Sequence, residues 1–231
     1  MSKHEKKNSF AQYGVWIGIF ALTAVVIIGL AIVGQKKEDT GIGGQSDALS
    51  SEVGSTDHIR GNPMSRVSLV EYSDFQCPAC GAYYPLVKQI EGEYGNRMQI
   101  VYRNFPLTQL HKNALLASQA AEAAGKQGKF FEMHDWLFEH QSEWPELPNV
   151  KERFIAYAAD DLKIDRKQFE QDLESADVKA KIDEDLKSGN RSGVQGTPTF
   201  YLNGVRIQPR SYEDFESQIL NAASQPEPVN E

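Results

Sequence analysis

Hydrophobic and polar positions divide the chain into three stretches. Residues 13–33 run uncharged for 21 positions, about 32 Å as an α-helix, enough to cross a hydrocarbon core of about 30 Å. Residues 38–63 are rich in Gly, Ser and acidic side chains with no apolar period, which predicts a flexible tether. Periodicity returns at Val67: with Leu69, Val70, Tyr72 and Phe75 it reads as a short buried strand. Pro78 suits the first turn of a helix predicted over 79–94, which Pro85 should kink. A second strand over 98–102, parallel to the first, would complete a βαβ unit with a right-handed crossover. From about 110 to 190 the spacing turns helical. Residues 114–124 are alanine-rich, Phe130, Met133 and Leu137, with Phe131 and Phe138, fall at helical spacing, and 154–159 and 169–173 add further apolar faces. Two strands, 199–202 and 205–207, flank Asn203-Gly204, a strong hairpin signal. A helix over 212–222, carrying Phe215, Ile219 and Leu220, precedes a frayed tail.

A length of 231 residues fits one domain of roughly 160 residues with appendages. The expected division is a cytoplasmic N-terminus at 1–12, a transmembrane signal-anchor helix at 13–33 and a flexible linker at 34–63. A folded α/β domain at 64–225 and a tail at 226–231 follow. The apolar run is longer than the roughly 7–15 residues of a signal peptide and ends AIVGQKK without an A-x-A-like site, so it predicts an uncleaved anchor. Tyr13 and Trp16 fit an interfacial belt. Lys3, Lys6 and Lys7 ahead of the span outnumber Lys36 and Lys37 behind it, which favours a cytoplasmic N-terminus and an extracytoplasmic domain. A net charge of −8 with no basic stripe argues against a nucleic-acid partner.

The chemistry centres on FQCPACG, which holds both cysteines of the chain, Cys77 and Cys80. At the mouth of a helix, free N–H groups and the helix dipole favour an anion and lower the pKa of the Cys77 thiol. Cys80, three residues on, can attack a mixed disulfide formed at Cys77, so the pair reads as a dithiol–disulfide exchanger. Two other readings stand beside it. Half of a zinc site would need two further ligands, but there is no third cysteine and His4, His58, His111, His134 and His140 offer no H-x3–5-H pair. A structural disulfide would close too short a loop to constrain much.

Glu71 shares strand phase with Val67 and Leu69 and should point inward, where an unpaired carboxylate tends to take up a proton; a salt bridge to Lys or Arg is the alternative. His58 is expected in the solvated tether. His111, His134 and His140 read as satisfied surface or interface residues, and Trp136 and Trp144 as core. The acidic runs at 160–161 and 183–185 read as solvated helix faces. The Asn-Arg-Ser triplet at 190–192 matches a glycosylation acceptor by pattern alone, and GIGGQS at 41–46 lacks the Gly-Lys-Ser/Thr of a phosphate loop.

FQCPAC after a strand, together with VQGTPTF at 194–200, resembles the DsbA-type branch of the thioredoxin superfamily. RNFPL at 103–107 and AAEAAGKQGKFFEMHDWLF at 120–138 extend the likeness over most of 65–223, and it is greatest to the membrane-tethered bacterial members. The resemblance implies a thioredoxin fold with a helical subdomain inserted at about 108–192, preceded by one N-terminal transmembrane helix. It implies a cis Thr197–Pro198 bond facing the cysteines, with the Thr197 backbone free to pair with an extended substrate and the proline keeping metal ions away. It further implies Cys77 as nucleophile, Cys80 as resolving thiol and Glu71 as the acid that accepts or relays the Cys80 proton. The Pro78-Ala79 dipeptide tunes the potential, and here Ala79 stands where the strongest oxidants of the family carry histidine.

The implied activity is a membrane-anchored, extracytoplasmic oxidase that forms disulfides in exported polypeptides without cofactor or metal. A quinone-linked membrane partner would re-oxidise it. A reductase or isomerase in the same compartment is the alternative, and a non-catalytic peptide-binding or chaperone module is a third reading.

Overall fold

The computed structural model describes residues 48–224. The predicted N-terminus, membrane span and C-terminal tail lie outside them. Among the described residues no helix is long and apolar enough to cross a membrane.

The centre of the fold is β2 (Ser68–Ser73), flanked by β3 (Gln99–Asn104) in parallel and β4 (Thr199–Leu202) antiparallel. With β1 (His58–Gly61) outside β3 and β5 (Val205–Ile207) outside β4, the sheet runs β1-β3-β2-β4-β5. The hairpin turn is the predicted one. Asn203 and Gly204 both take left-handed backbone angles, φ 49° and 79°, whose twist matches the flanking strands.

Alternation along β2 assigns its two faces. Leu69 and Glu71 face α1 (Pro78–Tyr94), while Val70 and Tyr72 face the opposite side. On the first side Leu69, Ile100, Phe200 and Leu202 pack against Val87 and Ile90 of α1 and against Phe215 and Ile219 of the last helix, α7 (Tyr212–Ser224). Between β3 and β4 lies the expected helical insertion: α2 (Ala114–Gly125), α3 (Phe130–Glu139), α4 (Val150–Asp160), α5 (Arg166–Asp172) and α6 (Ala176–Arg191). It has its own core of Met133, Leu137, Trp144, Phe154 and Phe169, joined to Phe75 and both cysteines. Asp165 and Ser175 cap α5 and α6, each accepting from the backbone N–H three residues on.

Three expectations need correction. The tether predicted to reach residue 63 gives way to folded structure by residue 48. Ala48 bridges Val205, Leu49 and Val53 pack beside Val70 and Tyr72, and His58–Gly61 pairs antiparallel with β3. The stretch hid from a pattern reading because its apolar residues follow no period and its anchoring is largely polar. His58 is not solvated. Its ring stacks on Phe130 with centroids 3.5 Å apart, and its Nε2 meets Glu122 at 2.9 Å. Asp185 is buried, taking bonds from the Asn104 backbone and side chain and pairing with Lys181, whereas Asp160, Asp161 and Asp183 are exposed as expected. Strand ends also shift: β2 stops at Ser73, short of Phe75, and β3 continues to Asn104.

Candidate active site

The turn between β2 and α1 is braced from below by Asp74, a fully buried carboxylate. Its Oδ1 accepts from Gln76 N at 2.8 Å. Its Oδ2 accepts from Leu107 N at 2.9 Å and meets His111 Nδ1 at 2.7 Å, while its carbonyl accepts from Cys77 N at 3.0 Å. Cys77 then takes the helix N-cap position with extended backbone, and Pro78 follows at the first helical position, where no N–H is needed. One turn of helix places Cys80 underneath, fully buried, while Cys77 keeps a small exposed edge. Both are free thiols.

Across from them the Thr197–Pro198 bond is cis, as the resemblance implies, and the Cys77 thiol reaches the Thr197 carbonyl at 3.4 Å. A cleft of about 560 Å³ opens at Thr197 and Pro198 and continues past Tyr83 to Arg206 and Pro209. Pro78 and Ala79 lie exposed at the turn, and Ala79 offers the sulfur no side-chain charge or hydrogen bond.

The two thiols are electrically unlike. Cys77 is lowered to about 5: the Cys80 thiol donates to it, against the cost of its own burial, and Thr197 and the N–H groups of Cys80 and Ala79 add to the effect. The Thr197 hydroxyl is buried with no hydrogen-bond partner among the described residues, which leaves it able to serve the Cys77 anion. Cys80 is pushed far up by burial, then by its bond to Cys77 and by the charge of Glu71. Glu71 lies on the α1 side of β2 between Tyr102 and Phe200, and burial raises it to about 7, opposed by Ser73. No lysine or arginine pairs with it among the described residues, so the salt-bridge alternative fails. A cavity of about 20 Å³, room for one water, leads from Glu71 past Tyr102 and His134 to Arg60 and Lys88.

The fold therefore gathers Cys77, Cys80, Glu71, Thr197 and Pro198 around one turn. His134 is buried and lowered to about 4 by desolvation, so it stays neutral in the aromatic core. His140 stacks on Trp136. Two residues went unremarked in the sequence, Asp74 and Gln141, while His111, read there as a satisfied surface or interface residue, is the partner of Asp74. Gln141 Nε2 donates to the carbonyls of Phe75 and Cys77. An Asp just after a strand is a recognisable turn signal; nothing local marks Gln141. Among the described residues no three His, Cys, Asp or Glu side chains gather as a metal ion would require, so no partners for a zinc site stand beside the thiols.

The family model described as thioredoxin matches residues 54–221. Among curated proteins, the chain is 36% identical over 167 residues to Na(+)/H(+) antiporter NhaA 3 of Salinispora tropica and 40% identical over 167 residues to Na(+)/H(+) antiporter NhaA 1 of Salinispora arenicola. Each match covers 72% of this chain and 24% of that protein. The chain thus spans about a quarter of the length of these relatives. Among solved structures, oxidised BdbD from Bacillus subtilis superposes with a TM-score of 0.68 at 21% identity, covering 78% of this chain and 100% of that one. Wolbachia pipientis alpha-DsbA1 gives 0.65 at 20%, covering 77% and 96%, and the catalytic domain of Proteus mirabilis ScsC gives 0.62 at 20%, covering 78% and 94%. At these identities the likeness is one of fold.

Proposed function

Given that the chain belongs to the thioredoxin family, we propose that it is a protein thiol:disulfide oxidoreductase that acts as an oxidase on exported polypeptides through Cys77 and Cys80. In this reading residues 13–33 anchor it to the membrane with the folded domain outside the cytoplasm. The observation that carries the direction is the asymmetry of the pair, a stabilised thiolate at Cys77 above a thiol held protonated at Cys80. A thiolate exists only in the reduced protein. Whatever stabilises it favours reduction, and so makes the disulfide the better oxidant.

The exchange then runs in two steps. A substrate thiolate attacks Cys77 Sγ of the Cys77–Cys80 disulfide, the S–S bond breaks, and Cys80 leaves with its electron pair. It takes a proton from Glu71, whose raised value lets it hold one near neutral pH. A second substrate thiolate attacks the substrate sulfur of the mixed disulfide, and Cys77 leaves as thiolate. Two electrons pass from substrate to protein; of the two protons the substrate thiols release on ionising, one replaces on Glu71 the proton it gave to Cys80, and the other stays in solvent. The free edge of the Thr197 backbone supports docking of an extended substrate by strand addition. A quinone-linked membrane protein is the class of partner that would remove the electrons.

A reductase or isomerase acting at the same site is favoured by one residue, the uncharged Ala79. The antiporter relatives' transport activity is not carried over, because the match spans only a quarter of those proteins. Equilibrating the full chain in detergent with glutathione separates the two directions. A potential well above about −200 mV supports the oxidase, and one near about −270 mV overturns it in favour of a reductase. Loss of all cellular activity in Cys77→Ser is expected; retained activity would instead indicate a non-catalytic peptide-binding module.

A further inference from the structure

Gln141 belongs to the helical insertion, just past the end of α3 and 64 residues from Cys77. Its Nε2 nevertheless donates to two carbonyls of the active-site turn, Phe75 at 2.8 Å and Cys77 at 2.9 Å. The Cys77 carbonyl also accepts the first bond of α1, from Gly81 N at 3.1 Å. One side-chain amide from the insertion therefore pins both sides of the corner that presents the sulfur.

Gly81 is the seat of that amide. A Cβ built on residue 81 would stand 2.2 Å from Gln141 Oε1 and 2.9 Å from its amide carbon. Glycine is a poor choice inside a helix, and the backbone here takes no left-handed angle that would call for it. The space it leaves is filled by Gln141.

We propose that Gln141 is a positioning residue for exchange at Cys77: it holds the Phe75 and Cys77 carbonyls so that the sulfur stays in line with the N–H groups of Ala79 and Cys80, and through it the helical insertion sets how readily the disulfide is reduced. The inference rests on the exchange reading above. The two carbonyl oxygens carry partial negative charge on the turn that bears the sulfur. The two N–H donors offset it, and a thiolate benefits where a disulfide does not. Removing the donors penalises the reduced form and weakens the protein as an oxidant.

The test uses the full chain in detergent and two readouts of the reduced state. One is the ultraviolet absorbance of the thiolate against pH. The other is the equilibrium in which two glutathione thiols reduce the protein disulfide to the dithiol and are themselves joined as oxidised glutathione. Gln141→Met keeps the volume and loses the donors. Gln141→Glu also loses the donors and adds an anion beside the sulfur. Gly81→Ala leaves Gln141 in the chain but displaces its amide. The extent of reduction at equilibrium should fall about threefold in Gln141→Met and Gly81→Ala and about tenfold in Gln141→Glu, with the Cys77 titration moving up in step. Gly81→Ala should do this even though alanine favours the helix, and it should add nothing in a Gln141→Met background.

Variants that melt earlier but keep the wild-type titration and glutathione equilibrium would show Gln141 to be a structural brace, and overturn the inference alone. A wild-type pair that fails to exchange with glutathione would overturn the functional reading and this inference with it.

Discussion

Arg103 grips Asp57 through two parallel bonds, Nε to Oδ1 at 2.8 Å and Nη2 to Oδ2 at 2.9 Å, across 46 residues and almost out of solvent. The same guanidinium donates to the carbonyls of Ser51 and Glu52 and to the Tyr72 hydroxyl. It thereby ties the entering segment to the sheet. Asp57→Ala would leave a buried arginine without its counter-charge, and chemical denaturation should show a loss of about 3–5 kcal/mol. A loss below about 1 kcal/mol would mean that the segment contributes little to the fold.

The carboxyl of Glu71, raised from 4.5 to about 7, binds its proton more tightly in the folded chain than in the unfolded one. Folding is therefore penalised as pH rises from about 4.5 to about 7, and the full penalty persists above that window. Glu71→Gln should gain up to about 3 kcal/mol over the wild type at about pH 8 and nothing at about pH 4, as read from paired denaturation curves. In the same variant the pH profile of the exchange rate should lose the step near neutrality that Glu71 contributes, leaving the rise set by ionisation of the substrate thiol. A variant with wild-type exchange kinetics at every pH would remove Glu71 from the proton path.

The two thiols should react in strict order. Iodoacetamide at about pH 6 should modify Cys77 and leave Cys80 untouched until the chain unfolds, because only the first is ionised and keeps an exposed edge. Peptide mapping by mass spectrometry reads this directly. Cys80→Ser should trap a substrate as a mixed disulfide on Cys77. Equal labelling of both cysteines in the native chain would contradict the assignment of roles.

Thr197→Val removes a buried hydroxyl that has no hydrogen-bond partner among the described residues and that favours the Cys77 anion. The Cys77 titration should move up by about half a unit, leaving about threefold less thiolate at acid pH. Stability should hold or rise, since no protein hydrogen bond is lost. An unmoved titration would assign the low value of Cys77 to Cys80 and the helix N-terminus alone.

Much of this was legible in the sequence because it is written in local signals. The Asn203-Gly204 hairpin, Pro78 beside Cys77, and the 2-residue phase that turned Glu71 inward all depend on neighbours in the chain. The entering segment was missed for the opposite reason. Asp57, His58 and Leu49 are fixed by Arg103, Glu122 and the sheet, all distant in sequence, and polar partners leave no hydrophobic period. Asp185 misled by its charge rather than its spacing: it stands on the buried face of α6 with Val178 and Ile182, and Asn104 and Lys181 supply the partners that let a carboxylate sit there. Gln141 was illegible because a single glutamine carries no pattern, and its counterpart, Gly81, acquires meaning only once the two are seen in contact.

The antiparallel pairing of β2 with β4 bears on how a new copy comes into being. Thr197 lies 120 residues after Cys77. At about 5–20 residues per second, a ribosome delivers the two about 6–24 s apart. Until then the central strand lacks a neighbour and both thiols lack the loop that later stands over them. On the exchange reading proposed above, the growing chain is for that interval chemically a client of thiol exchange, and it acquires the means to act on other chains only when its last strands emerge.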